Sequence, residues 1–414
     1  MAMKQTQTKL FDFADVGLDF CPGSKNLFPD RFKKMLSQGY NEQTVASVSV
    51  TGNQVTLNYG VAHGYAADRV LKINSGPLAA INSGEFWIDV VTTTSLTMTI
   101  DAAPVSMAGG CVTKIASLGW ELVYELANIH IYKMKHIDDT NRYVRMCFQN
   151  NATHRNAIAV CIGKTFDAAT GFINDPLALQ STATVTSPSA GGLPRWDGYL
   201  TGATHNDWTY TQGYSTYGKA IVIGSLYHLL LPLCWGTTYP IEFYGILPTA
   251  LHAYDVLDYP VLIAKALSSA TSSGGELTYG NFYLSSGSGR AYVGNVAVVF
   301  QAAHGATSNN TMSYSPAARS SALSNNIDLF NTTTAEAISI YEESSWQHLG
   351  YCYGAYRCQY AGDSTAPTIS RTNLPLFTTD IDFENTVLIA HSGSSNDRSR
   401  AYFFAIPIEE IKID

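Results

Sequence analysis

The sequence predicts an all-β protein: a β-sandwich-like body, a small inserted β-barrel-like domain and an irregular N-terminal arm. Three observations predict this class. Short, β-branched runs close to period two recur from residue 45 to the C-terminus, as strands require. Gly, Asn and Ser clusters separate them and supply turn chemistry. Apolar spacing at helical period is absent except in two short stretches.

Residues 1–44 read as the arm, with aromatics in TKLFDFADVGLDF but no helical stripe. One short helix is expected over Pro29–Ser37, with the proline at its first turn and Lys33 and Lys34 toward its end. Residues 45–116 read as the inserted unit of five or six strands. SVSVTGNQVTLNYG, DRVLKIN, EFWIDVVTTTSLTMTID and CVTKIAS are punctuated by Gly52-Asn53, Gly60, Asn74-Ser75-Gly76 and Asn82-Ser83-Gly84. Residues 117–414 read as the body, with strands such as IHIYKMKHI, AIAVCIGKTF, IEFYGIL, AYVGNVAVVFQAA, GYCYGAYRCQYAG and AYFFAIPIEEI. The apolar stretch Ala220–Trp235 is too short for a membrane helix and holds Ser225, His228 and Pro232, so it is expected to form one or two buried strands. Thr334–Ser345 is expected as a short helix, and long Ser/Thr/Asn/Gly loops such as SSATSSGGE lie on the surface. No repeat of 20–50 residues is evident, which disfavours solenoids and propellers.

Only 14% of the 414 residues are Asp, Glu, Lys or Arg, where about 25% is usual. Hydrophobic residues at 46% exclude a disordered chain. The balance of 25 basic and 33 acidic residues gives −8 without blocks, so the basic stripe of a nucleic-acid-binding protein is missing. The polar, interrupted N-terminus lacks the apolar core of a signal peptide, and neither secretion by that route nor membrane insertion is expected. Seven cysteines without a CxxC pair suit small buried apolar residues in a reducing compartment.

Enzyme signatures mostly fail. Gly163-Lys164-Thr165 resembles the end of a P-loop, but Ile158 stands where its first glycine must be, so a strand-end turn is expected. None of the ten histidines forms an HxxxH metal pair, and Glu342, Glu343 and His348 fit no helical metal face. Asp380, Asp382 and Glu384 alternate, which on a strand either gathers three hard oxygen ligands for a cation or leaves a solvated face over buried Ile381 and Phe383. Asp138-Asp139 would point to opposite faces of a strand, which weakens an acid/base pair. No G-x-S-x-G elbow occurs. No catalytic residue, cofactor or resident metal is expected.

The aromatics are more informative. Trp208, Tyr210, Tyr214 and Tyr217 in DWTYTQGYSTYG form a loop-like cluster in polar surroundings, suited to a protein partner or a sugar ring, with cross-strand pairing as the other reading. For Tyr351, Tyr353 and Tyr356 cross-strand pairing is favoured.

Residues 58–100 resemble a small β module of tailed-bacteriophage virion proteins, through His63-Gly64, Asp68-Arg69-Val70, Asn82-Ser83-Gly84 and Thr92 through Thr99. Ser83 departs from the glycine that module prefers. LGWELVYELANIHIYKMKHIDDTNRYVRMCFQ is similar to phage structural proteins, so the resemblance covers about residues 45–150 in detail. It implies a component of the virion, assembled in the host cytoplasm, and not its position in the particle. The leading expectation is a tail-tip or baseplate structural protein that contacts other virion proteins and itself, as a homo-oligomeric ring or trimer by ordinary oligomer symmetry. Host-surface glycan binding is the alternative, a capsid or collar station a further one, and a polysaccharide-degrading enzyme ranks last. In this reading the arm lies on an adjacent subunit. Low charge and abundant Tyr and Trp agree with extensive subunit contact.

Overall fold

A computed structural model describes residues 8–150, 156–188, 192–197, 207–234, 241–252, 257–266, 289–300, 334–359, 366–369, 375–379, 386–393 and 401–408. Every strand pairing among them is antiparallel, and the chain is all-β as the period-two pattern predicts.

The body starts with a meander. Glu121–Leu126, Ile129–Lys135, Asn141–Phe148 and Ala157–Gly163 pair in sequence, and Pro194–Asp197 then pairs with Ala157–Ala159. A second meander, Lys219–Gly224, Leu229–Cys234 and Ile241–Leu247, joins it through Val261–Ala266, which pairs with both Pro194–Asp197 and Ile241–Leu247. The ladder continues through Gly289–Val293, Val296–Val299, Thr334–Glu342 and His348–Gln359 to Ala401–Pro407 and Thr386–Gly393.

The stretch 220–234 is two strands, as expected, each buried along its whole length, with Leu226 and Tyr227 half-exposed in the turn between them. Its uniform apolarity has a geometric cause. Ala220 and Val222 face one core, while Ile221 and Ile223 face another. Tyr244 and Ile246 divide from Phe243 and Leu247 in the same way. A strand covered on both faces reads as a continuous apolar run rather than an alternation. Pro232 has no N–H to give a ladder. The register between the two strands is interrupted opposite it, pairing Ala220 with Leu233 and then Ile223 with Leu230.

Residues 40–115 fold as two four-stranded antiparallel sheets. Tyr40–Thr44, Val112–Ile115, Val70–Ile73 and Glu85–Trp87 make one; Ser47–Thr51, Gln54–Asn58, Ser95–Thr99 and Val90–Val91 make the other. Alternate residues Val55, Leu57, Leu96 and Met98 turn inward to a core shared with Leu71, Ile73 and Phe86. No closed barrel forms, which corrects the barrel-like expectation: two sheets packed face to face bury the same residues without closure.

Two further expectations are corrected. The N-terminal segment is built into this chain's own sheet and core instead of standing apart as an irregular arm. Lys9–Asp12 is a strand paired with Ile221–Gly224, and Phe11, Phe13, Phe20, Phe28 and Phe32 enter this chain's own core. Phe13 stacks on Phe20 at 3.8 Å, Phe20 meets Phe28 at 5.3 Å, and Phe32 reaches Phe148 and Trp196 at 6.0 and 6.4 Å. Phe32's partners lie more than 100 residues away, and the local pairs sit on turns, so no periodic stripe announces them. The expected helix over 29–37 is present as an α-helical Phe28–Lys33 running into a π-helical Lys34–Gln38, with its proline in the first turn. Thr334–Glu342, in contrast, is a strand. Alternate Ile338 and Ile340 are buried and paired with His348–Gln359, and the strand's end at Tyr341 and Glu342 pairs with Val298 and Val299, which overrides the helix propensity of its Ala and Glu residues.

Candidate functional site

Trp208 and Tyr210 sit at the start of a helix, Tyr210–Tyr217, rather than in a loop. The helix opens on a capping box, Thr209-x-x-Gln212. Thr209 Oγ1 and Thr209 N–H both donate to Gln212 Oε1, at 2.9 and 3.1 Å. Trp208 is half-buried against the main core, and its carbonyl accepts from the Ser24 hydroxyl. The Lys219 ammonium lies 3.4 Å from the Tyr210 ring centroid, a cation–π contact. Thr211 N–H donates to Asp19 at 3.3 Å, so the helix is moored to the N-terminal segment. Tyr214 and Tyr217 share the helix, and their side chains lie outside the described residues. Thr211 and Gln212 are exposed, leaving a polar, aromatic-flanked surface.

Lys219 ties this surface to something sequence spacing does not reveal. Its ammonium is 3.8 Å from Asp12, whose N–H donates to Asp15. Asp15 is the hub. Arg69 donates to both its oxygens, at 2.8 and 2.9 Å, and the Tyr40 hydroxyl donates at 2.7 Å. Arg69 is buried, and with desolvation opposing its charge the Asp15 carboxylate holds its pKa above the usual guanidinium value. Burial pushes Asp12 up and Lys219 down, each partly offset by the other. Lys9 adds a 2.8 Å ion pair to Glu85 and donates to the Ser117 carbonyl at 2.5 Å. The inserted sheets are therefore tied to the N-terminal segment by one bidentate pair, Arg69–Asp15, and one single-point pair, Lys9–Glu85, both partly dehydrated. The aspartates in FDFADVG are the sequence signal, but their partner Arg69 is 54 residues on.

The motif residues of the inserted unit are internal. His63 accepts from Tyr65 N–H at Nδ1 and donates from Nε2 to the Ser95 carbonyl at 3.1 Å, between the rings of Tyr59 and Tyr65. Both tyrosine hydroxyls reach Thr113 Oγ1 at 2.9 Å. Gly64 has φ +70, and a Cβ there would meet Val16 at 2.9 Å, so only glycine fits. His63-Gly64 thus serves the core and the seam with the N-terminal segment.

Other sequence readings resolve simply. Gly163 ends a strand and is followed by a turn fixed by Lys164 N–H donating to Asp175, as expected of a strand-end turn. Asp138 and Asp139 occupy the turn after Ile129–Lys135, where Asp138 accepts from Thr140 and Asp139 from the Tyr227 hydroxyl. Glu342 accepts from Ser344 N–H and Ser345 N–H. Tyr351, Tyr353 and Tyr356 lie on one strand, with Tyr351 against His348 at 5.0 Å. Asp380, Asp382 and Glu384 lie outside the described residues. All seven cysteines are buried and free, and burial pushes the Cys147 and Cys161 thiols up to about 11 and about 12.

One buried ionic cluster was not foreseen. Lys265 meets Glu242 at 2.6 Å, Arg195 meets Asp197 at 3.2 Å, and the Tyr244 hydroxyl donates to Glu242 and to the Asp197 carbonyl. All five residues are buried, and desolvation with the neighbouring acids drives the Tyr244 pKa far up, so the phenol stays protonated and is a poor nucleophile. The charges neutralise one another across three strands. A surface cleft of about 310 Å³ beside the inserted sheets is lined by Ser75, Gly76, Pro77, Met107 and residues 108–111, with no charged side chain to orient a ligand. Among the described residues no group of three His, Cys, Asp or Glu side chains is placed to hold a metal, and no helix is long and apolar enough to cross a membrane.

No family model and no curated protein matches this chain. Among solved structures it matches a Phage phi92 endosialidase at 11% identity and a TM-score of 0.16, over 90% of this chain and 52% of that one. This chain spans about half the length of that protein.

Proposed function

We propose that the chain is a non-enzymatic structural component of a tailed-phage particle, seated in the tail-tip or baseplate region and assembled from copies of itself and neighbouring virion proteins. The observation that carries this reading is the module at residues 45–116, which resembles those of virion proteins in sequence. Its mounting supports the same reading: the bidentate Arg69–Asp15 pair and the Lys9–Glu85 pair fasten it to the N-terminal segment, as a module that transmits force between subunits needs. The low charge of 14% fits surfaces destined for subunit contact. The test is direct. Mass spectrometry of purified particles should find the chain at fixed stoichiometry, and antibody against the inserted unit should decorate the tail end by electron microscopy. Absence from intact particles overturns the reading; decoration of the head moves the station to capsid or collar. Light scattering on the purified chain should give a multiple of 44.9 kDa.

A second reading, host-surface glycan recognition, rests on Tyr210, half-exposed beside the exposed Thr211 and Gln212. Tyr210→Ala should then reduce adsorption to host cells at unchanged thermal stability. Unchanged adsorption, with no glycan bound on an array, removes it.

A further inference from the structure

The strand Thr249–Leu251 pairs with Gly350–Cys352, and His252 N–H donates to the Leu349 carbonyl at 2.8 Å. That register sets two imidazoles, 96 residues apart in sequence, side by side at the surface: His252 Nε2 lies 3.0 Å from His348 Nδ1. Their geometry is not that of two rings in line. A collinear imidazole hydrogen bond of this length would separate the ring centroids by about 5.3 Å. Two imidazoles on one metal, with bonds of about 2.0–2.1 Å, would place the nitrogens about 2.9–3.4 Å apart and the centroids about 4.5–5.2 Å apart as the angle opens from 90° to tetrahedral. The centroids here are 4.9 Å apart with the planes at 58°.

The surroundings hold the donor set ready. Tyr341 and Tyr351 pack their rings against His348 at 4.9 and 5.0 Å, fixing its orientation. His252 is exposed, leaving the remaining coordination positions to water.

We propose that His252 and His348 form a two-histidine site for a borderline divalent transition-metal ion such as Zn²⁺ or Ni²⁺. Imidazole nitrogens select such ions over Ca²⁺ and Mg²⁺, which prefer oxygen. Binding needs only that whichever ring carries the proton between these two nitrogens shift it to its other nitrogen, so that both lone pairs converge. The ion would then tie the 249–251 strand to the 348–359 strand.

Isothermal titration of the full chain with Zn²⁺ and with Ni²⁺ at pH 7.5 should show a saturable one-to-one event. His252→Gln should weaken it by at least tenfold, and His348→Gln likewise. His252 is exposed, so His252→Gln should leave the thermal midpoint of the metal-free protein unchanged. Calcium should not compete. No saturable binding, or binding of undiminished affinity in both variants, overturns the site.

Discussion

Asp15 carries more of the architecture than any other single carboxylate described above. It takes two bonds from Arg69 and one from Tyr40 in a largely buried setting. Removing one member of such a pair leaves an uncompensated charge, which costs about 3–5 kcal/mol. Asp15→Ala should therefore lower the free energy of unfolding in urea by that amount and expose the inserted unit to limited proteolysis, with Arg69→Met in the same chain recovering part of the loss. Ser83 shows the opposite opportunity. Asn82, Ser83 and Gly84 all have positive φ, and Ser83 sits at φ 54, where a side chain is strained. Ser83→Gly should raise stability by up to about 1 kcal/mol in the same assay. At this scale the sequence was partly legible: the turn at 82–84 stood out by composition, whereas the role of Asp15 needed a partner far along the chain.

The N-terminal segment and the Tyr210–Tyr217 helix show where sequence reading fails for elements. Alternation exposes a strand that buries one face, and the inserted strands Gln54–Asn58 and Ser95–Thr99 were visible for that reason. Phe13, Phe20 and Phe28 follow neither period because they stack on one another from a segment that is mostly turns and so sets no regular spacing. Phe20→Ala should cost about 3–5 kcal/mol in chemical denaturation, as for a fully buried aromatic in a packed core. An arm serving only a neighbouring subunit would leave the isolated chain unaffected. The helix was hidden differently. Its eight residues hold no apolar stripe, and only the Thr209–Gln212 box marks its start.

Across the whole molecule, three buried histidines set the response to acid. Burial holds His130 and His136 at about 4, the latter aided by Arg142, and His228 at about 3. Each folded-state value lies below the ordinary value of about 6.5. As pH falls below that value, the unfolded chain takes up protons that the folded chain refuses, so stability is lost. The loss is at most about 1.4 kcal/mol per pH unit for each histidine. The urea midpoint should drop steadily from pH 7 to pH 5, and His228→Gln should flatten the slope; a midpoint constant over that interval contradicts the assignment.

The strand at residues 9–12 has a consequence for how the molecule is made. It covers the open edge of Lys219–Gly224, the start of an almost chargeless stretch that runs through two strands. Such an edge, left bare, is a template for pairing with other chains. The segment that closes it lies some 200 residues earlier and leaves the ribosome well before the strands it protects. Damage to the first dozen residues would show as insoluble chains during synthesis, long before any shortfall in the finished assembly was seen.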